Sequence, residues 1–560
     1  MAGSGSILGN AVLRLEDPTL LTGDGKYVDD LRETGTLYVA LVRSPVAHGT
    51  ISSVDFGDAE SMPGVVAVYH AGDDLGMPSF QGFPMMPELL NRPIFAKDKV
   101  RFVGDIIAAV VAETQAQAND AAQEIFADID PLPAIIDPRD GLAPDAPLLF
   151  PDLGSNVCFA SHYPPEGGGD DPCEGADAIA EVEMVSQRLA GVPMENNGVV
   201  CVPEEGGGLT MWVSHQAPHT IHGGYAPMLG LEPDQLRIVC PWVGGGFGPK
   251  AAGYVEHLIA GKAALALGRP VKWAEARSEN MVSMVHGRDF VMKARLGVNN
   301  DGKIVGFDGE VIAAAGAYPA IGAILPMLTQ MMSVGVYEIP KVRFDAKTVL
   351  TNNTTVGAYR GAGRPEATQL IERILDVAAD QIGMDPAEIR RVNFMQPDSF
   401  PRTTITGANY DSGEYEKALD AALEASNYQD LLRQQAERRA SGDPKQLGIG
   451  VSAYVEVTAP VGLHVEFGAC EINDDGSATV FAGTSVHGQG HATAFAMLAS
   501  DVLGIPMDKI TLVNSDTARV PRGSGTLGSR SLQTAGSAIH LASNGVLDRA
   551  KQIAAHMLEA

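Results

Sequence analysis

The chain has 560 residues, 45% of them hydrophobic, with 63 glycines and 35 prolines, which is material for roughly two to four domains rich in turns. Its 69 acidic and 40 basic side chains leave a formal charge of -29, which disfavours nucleic acid or an anionic membrane surface as a partner. No apolar run approaches the roughly 18 residues of a membrane-spanning helix, so no membrane insertion is expected. The start, Met1 to Ser6, lacks the features of a signal peptide, and a cytoplasmic protein is expected. The five cysteines, Cys158, Cys173, Cys201, Cys240 and Cys470, form no Cys-x-x-Cys pair, so iron–sulfur clusters are expected only on a partner.

In chain order, residues 1–135 read as a small α/β unit. Leu37–Val42, Val65–Tyr69 and Asp105–Ala112 have the apolar content of strands, and an Ala-rich helix follows from Ala116 to Ile125. Pro, Asp and Gly dominate Pro131–Gly154 and Pro164–Pro172, which predicts a linker over 136–175. A first large unit is expected over 176–400 and a second over 401–560.

Two patterns recur across these units. Arg295–Phe307 reads as a strand, an Asp-Gly turn and a strand, and so does Glu471–Phe481. A helix ending in Leu-Gly, then Pro, a strand and a Gly-rich loop occurs at Leu229–Gly246 and again at Leu503–Gly525. The two patterns come in different order in the two places. Residues 367–380 predict an amphipathic helix, and Asp385-Pro386-Ala387-Glu388 an N-cap with a capping box. A polar stretch over 400–445 is expected to connect the halves.

Four stretches carry candidate chemistry. Val243–Lys250 sets Gly244, Gly245, Gly246 and Gly248 around Phe247, so backbone N–H groups can approach an anion or flat cofactor closely. The spacing is neither a dinucleotide fingerprint nor a P-loop, and a structural turn fits it equally. Val356–Glu366 places Arg360 and Arg364 about Gly361 and Gly363, and a rigid guanidinium fork suits an oxyanion or developing negative charge. Pairing of Arg364 with Glu366 or another acid is the plainer alternative.

Gly483–His491 offers Gln489, both donor and acceptor, between Gly488 and Gly490. His487 and His491 there have no third ligand nearby, so no protein metal ligand is expected. Arg522–Ser531 is basic, glycine- and hydroxyl-rich and precedes a helix, as phosphate-holding loops do; a capping loop is the alternative. Met194–Gly198 and Ser214–Gln216 are weaker clusters.

Taken in order, these stretches resemble the large subunit of the molybdenum hydroxylases, the xanthine dehydrogenase and aerobic carbon monoxide dehydrogenase-like family. The resemblance rests on Arg14-Leu15-Glu16-Asp17, Gly245-Gly246-Phe247-Gly248, Ala358-Tyr359-Arg360-Gly361, Gly488-Gln489-Gly490 and Gly525-Thr526-Leu527-Gly528-Ser529-Arg530. It implies an α/β (α+β) fold: an a/b hammerhead-like domain, then two molybdopterin-binding domains, the second incomplete. The implied activity is hydroxylation of an aldehyde or N-heteroaromatic compound with oxygen from water. The implied cofactor is molybdenum–molybdopterin in its cytosine dinucleotide form. Electrons are expected to pass to a small [2Fe-2S] subunit and a medium FAD subunit, in a dimer of heterotrimers.

Carried over by motif, Arg360 and Phe247 are the expected catalytic residues. Gly246 and Phe247 are expected at the molybdenum end of the cofactor, with Gly245, Gly248 and Arg360 as further cofactor contacts, and Arg360 is expected to stabilise negative charge on the substrate or transition state. Gly488, Gln489, Gly490, Thr526, Gly528, Ser529, Arg530 and Ser531 are expected to hold the pterin and its phosphates, with His48 and Gln216 in support.

Three departures qualify this. Purine-oxidising relatives have an acidic residue where this chain has Ala251, and copper-containing relatives a cysteine where it has Gly361. These argue against a purine and against carbon monoxide. The family's general base lies in a Gly-x-Gly-Glu motif that does not occur in these 560 residues, so a truncated or split large subunit, inactive alone, is expected. A non-enzymatic remnant or scaffold is the competing reading, separable by molybdenum content.

Overall fold

The computed structural model describes residues 5–166, 169–459 and 464–559. Leu37–Arg43, Val65–His70 and Ile106–Ala112 are strands as expected, and all of Ile106–Ala112 is buried. The helix Gln115–Gln123 starts at Thr114, whose hydroxyl accepts the Gln117 N–H at 3.2 Å. These strands do not close a sheet of their own. Leu37–Arg43 pairs in parallel with Val271–Ala274, so the N-terminal strands extend a seven-stranded sheet that also contains Gly198–Pro203, Leu209–Val213 and Leu236–Val239. One apolar core, including Leu37, Val111, Met211, Leu258 and Trp273, crosses that junction.

Residues 136–175, expected as a linker, contain the strand Val157–Tyr163. It pairs antiparallel with Val342–Leu350 at the edge of a five-stranded sheet. The strand is partly exposed along its length, so its apolar alternation is weak in the sequence. The helix Arg364–Ile382 lies against this sheet and buries Leu370, Ile371, Ile374, Leu375 and Ala378, in one core with Phe290, Phe307 and Phe344. Asp385 caps the next helix, accepting the Ala387 N–H at 2.7 Å. The Glu388 carboxylate, expected to complete a capping box, instead accepts from Arg391 Nε at 3.2 Å. The polar stretch 400–445 holds two helices, Tyr415–Ala425 and Tyr428–Ser441.

The duplication is better ordered than the sequence implied. Gly198–Pro203 and Leu209–Val213 form an antiparallel pair, the helix Pro218–Leu229 follows, and Leu236–Val239 returns parallel to the second strand. Gly468–Ile472, Ala478–Ala482, the helix His491–Leu503 and Ile510–Val513 repeat that plan strand for strand. The counterpart of the second hairpin is therefore Gly198–Val213. Arg295–Phe307 belongs to a longer hairpin in the five-stranded sheet, and its Asp-Gly turn imitates the repeat. With the pairing corrected, the difference in order disappears.

Candidate functional site

The two repeated units meet at corresponding ends. Val239 bridges to Asp516, Cys240 N–H donates to Ser515 O at 2.8 Å, and Arg237 Nη2 pairs with Asp516 at 2.7 Å. In each unit a strand-to-helix loop faces this junction, Ser214–Ala217 in one and Gly483–Gly490 in the other. Gln216 and Gln489 thus occupy related loops, and Ser485 Oγ donates to His215 O at 3.3 Å between them.

The loop Gly244–Lys250 is pinned at both ends by one buried network. A single carboxylate oxygen of Glu195 accepts from Gly244 N–H at 2.8 Å, Ser214 Oγ at 2.6 Å and Lys250 Nζ at 3.1 Å, while Lys250 Nζ also donates to Ser214 Oγ at 2.7 Å. Lys250 is fully buried, and burial pulls its ammonium below the usual lysine range while Glu195 opposes that pull. Between the pins the backbone is crowded. A Cβ on Gly246 would lie 2.4 Å from Gln216 Cδ, and one on Gly248 would lie 2.3 Å from Ala358 O at a φ of +107°. Phe247 itself has a φ of 57°, which turns its ring outward with 41% of its surface exposed.

Arg360 comes to the same place. Its N–H donates to Phe247 O at 2.8 Å, and its exposed guanidinium lies 5.7 Å from the centre of the Phe247 ring. No carboxylate pairs with it among the described residues. Arg364 does not pair with Glu366; its Nε lies 4.0 Å from Glu456 Oε1, the other acid that the plainer alternative allowed. Arg364 donates to Gly361 O and Val457 O at 3.1 and 2.9 Å, bracing the loop and leaving Arg360 as the free charge.

The third and fourth stretches also converge. Thr526 Oγ1 donates to Ser485 O at 2.7 Å and accepts the Ser485 N–H at 3.0 Å. Gln489 folds back on its own loop, donating to Ser485 O at 3.1 Å and accepting the His487 N–H at 2.7 Å. Arg530, expected on a phosphate, is turned inward: its Nη2 donates to Ser524 O at 2.7 Å, and the residue is 5% exposed. Gly528 and Ser529 are both left-handed, and Ser531 Oγ reaches Thr526 Oγ1 at 3.4 Å.

The donor set fits an anionic, heterocyclic cofactor. Among the described residues, Gly245, Gly246 and Phe247 donate no backbone hydrogen bond, nor do Leu527, Gly528 and Ser529. Arg530 Nε and Thr484 Oγ1 are buried without a partner there. Such unmet donors on two facing glycine turns suit a ligand bearing phosphate and amide-like edges.

Not every sequence candidate reaches this place. His48 is buried with its Nδ1 2.6 Å from Pro133 O, and its hydrogen bonds stay within the N-terminal unit. Glu195, Ser214 and Lys250 form the anchor, yet only the bare motifs Met194–Gly198, Ser214–Gln216 and Gly-Pro-Lys hinted at them. Arg288, which donates to both Tyr359 O and Arg360 O, carried no sequence signal.

Comparison with known proteins agrees with this geometry. Residues 22–133 match the aldehyde oxidase and xanthine dehydrogenase a/b hammerhead domain, and residues 149–394 and 421–560 each match a molybdopterin cofactor-binding domain. The carbon monoxide dehydrogenase large chain of Hydrogenophaga pseudoflava is 38% identical over 97% of this chain and 71% of its own length. The structure of carbon monoxide dehydrogenase from Oligotropha carboxidovorans superposes with a TM-score of 0.91 at 33% identity, over 99% of this chain and 72% of that one. Quinoline 2-oxidoreductase from Pseudomonas putida 86 gives 0.91 at 32%, with the same coverage of each.

Fold and site thus define a molybdopterin-binding oxidoreductase subunit. The chain belongs to the molybdenum hydroxylase large-subunit family of carbon monoxide dehydrogenase and xanthine dehydrogenase. No helix among the described residues is long and apolar enough to cross a membrane.

Proposed function

We propose that this subunit, within an assembly that supplies the general base, hydroxylates an aldehyde or an N-heteroaromatic compound, and that Arg360 and Phe247 form its substrate-facing surface. The observation that carries the reading is the Arg360 guanidinium, unpaired with any carboxylate among the described residues and set over the exposed Phe247 ring. An aromatic face beside a free positive charge suits a flat, electron-poor substrate whose oxygen or ring nitrogen gains negative charge as the carbon is attacked. The quinoline enzyme among the solved relatives acts on such a molecule.

Carbon monoxide fits less well. The loop has Gly361 in place of a thiol, at a φ of +103°, and a Cβ there would lie 2.3 Å from Pro365 Cγ. Ala251 likewise gives a purine no acidic partner.

The cofactor, when bound, supplies the two-electron oxidation and the activation of water. Gly245, Gly246, Phe247 and Gly248 would border its metal end. Gln489, Gly488 and Gly490, with Thr526, Gly528, Ser529, Arg530 and Ser531, would hold its pterin and phosphates, read here as a cytosine dinucleotide. Partner subunits carrying [2Fe-2S] clusters and FAD would take the electrons, in a dimer of heterotrimers. The test is oxidation of benzaldehyde and of quinoline by the assembled enzyme in labelled water. Label in the product, with kcat/KM about a hundredfold lower in R360A, is expected; an unlabelled product, or an R360A variant as active as the parent, would overturn the proposal.

A further inference from the structure

With no carboxylate to orient Arg360, its direction is set by its backbone, and the backbone is held from one side by the segment His286–Asp289. His286 N–H donates to Thr355 O at 3.0 Å, and Gly357 N–H donates to His286 O at 2.8 Å. Gly287 has no room for a side chain, since a Cβ would lie 2.3 Å from Tyr359 Cβ. Arg288 then reaches across the turn. Its Nη1 donates to Tyr359 O and its Nη2 to Arg360 O, each at 2.7 Å, and its guanidinium centre lies 5.1 Å from the Tyr359 ring centre.

These two carbonyls belong to the peptides on either side of the Arg360 Cα, so the grip fixes the residue from both directions. Two parallel donors on a rigid fork are what that grip needs; an ammonium offers a single point. The positive charge is answered from beneath, where Glu366 Oε1 lies 3.6 Å from Arg288 Nη1. Glu366 is 1% exposed, and its carboxylate oxygens accept no hydrogen bond among the described residues.

The segment is bent to deliver this side chain. Arg288 and Asp289 are left-handed in succession, with φ of 66° and 73°, and Asp289 is gripped by Arg188 Nη2 at 2.7 Å. Successive non-glycine residues persist in that region only where their surroundings over-determine them.

We propose that Arg288 is a positioning residue for hydroxylation: it holds the Arg360 backbone so that the Arg360 guanidinium faces the substrate, while Glu366 neutralises Arg288. The site then presents one uncompensated positive charge, with its direction fixed. This inference rests on the reading of Arg360 above.

The test is a double-mutant cycle on the assembled holoenzyme, with R288K, R360A and the double variant assayed on benzaldehyde and quinoline. Molybdenum content and thermal midpoint are measured alongside. R288K is expected to lower kcat/KM about ten- to a hundredfold, chiefly through kcat, with molybdenum content retained. In the R360A background the same change is expected to cost less than about twofold. A full R288K loss in that background, or no loss in the parent, would overturn the proposal.

If R360A alone is harmless, the reading of Arg360 fails and this proposal falls with it, which is a distinct outcome. Should R288K not load molybdenum, E366Q carries the test, with a smaller kcat loss expected and an unchanged kcat overturning the proposal. Independently of turnover, phenylglyoxal labelling of Arg360, followed by peptide mass, is expected to quicken about threefold or more in R288K as the grip loosens. An unchanged labelling rate counts against the grip.

Discussion

The side-chain amide of Gln216 donates to Thr526 O at 2.9 Å, while its own oxygen accepts the Gly248 N–H at 2.9 Å. The backbones reinforce the joint: Gln216 N–H donates to Lys250 O, and Thr526 N–H to Gln216 O, both at 2.9 Å. One residue of the first repeated unit therefore holds the glycine loop of its own unit against the hydroxyl-rich loop of the second. The closeness of the two loops depends on this joint, and they should separate when it is altered.

Gln216→Glu is the sharpest change. A carboxylate still accepts from Gly248, yet it faces the Thr526 carbonyl with no hydrogen to donate. The unmet acceptors cost about 1–3 kcal/mol. The expected outcome is a holoenzyme with less molybdenum per chain by elemental analysis, and with molybdenum lost faster on dilution. Q216E carrying its full molybdenum complement with unchanged retention would show that the two loops do not depend on this side chain.

The Glu195–Ser214–Lys250 network gives a stability prediction with a sign reversal. Lys250 is buried, so Glu195→Gln leaves an ammonium without its counter-charge, which typically costs about 3–5 kcal/mol. Replacing both ions by apolar residues of similar size, as in E195L/K250M, removes the charge burden along with the pair. The double variant is expected to unfold at a higher denaturant concentration than either E195Q or K250M alone. Additive losses in urea melts would mean the ion pair matters little beyond its packing.

What could be read from the sequence, and what could not, follows the distance over which each signal acts. The glycine turns at Gly244–Gly248 and Gly525–Gly528 were legible because a glycine run after a strand is a local signal for close backbone approach. The helix Arg364–Ile382 was legible by its apolar spacing. Gln216 entered only as a weak supporting contact because its Thr526 partner lies 310 residues away, and Arg288 carried no signal because Arg360 lies 72 residues on. The motif set Arg530 on a phosphate, whereas its Nη2 is turned to the carbonyls of its own loop and only its Nε is left as an unmet donor. The strand Val157–Tyr163 was hidden between Pro- and Gly-rich stretches, and only Val342–Leu350 makes it a strand.

Acid should act on this site through its buried histidines, His215 among them, with His487 and His491 held equally low by burial. His215 Nδ1 accepts the Ala217 N–H at 2.9 Å and its Nε2–H donates to Ala252 O at 3.0 Å, an arrangement that requires the neutral ring. Burial, with Lys250 adjacent, holds its pKa down to about 4. Because the unfolded chain protonates near 6.5, it binds more protons than the folded chain between those values. Stability is thus fully present above about pH 6.5 and falls as pH drops toward 4, by a contribution on the order of 3 kcal/mol. His215→Gln is expected to flatten this part of the curve in urea melts from pH 7 to 4, at a lower plateau. An unchanged slope would mean that other groups carry the acid sensitivity.

Glycine substitutions separate the functional turns from incidental glycines. Gly248→Ala must place a Cβ 2.3 Å from the Ala358 carbonyl oxygen at a φ of +107°, so either the loop or the Tyr359–Arg360 turn has to move. Gly246→Ala meets Gln216 Cδ at 2.4 Å, a side chain that can yield only by releasing Gly248 or Thr526. Gly223, inside the helix Pro218–Leu229, has nothing within 4 Å of its would-be Cβ, so alanine there relieves helix entropy and adds about 0.5–1 kcal/mol. The expected order of molybdenum occupancy is G223A equal to the parent, G246A reduced, and G248A lowest, while the thermal midpoint of G223A is unchanged or raised. Equal occupancy across all three would mean that this glycine loop does not touch the cofactor, and the assignment of Gly246 and Gly248 would have to be given up.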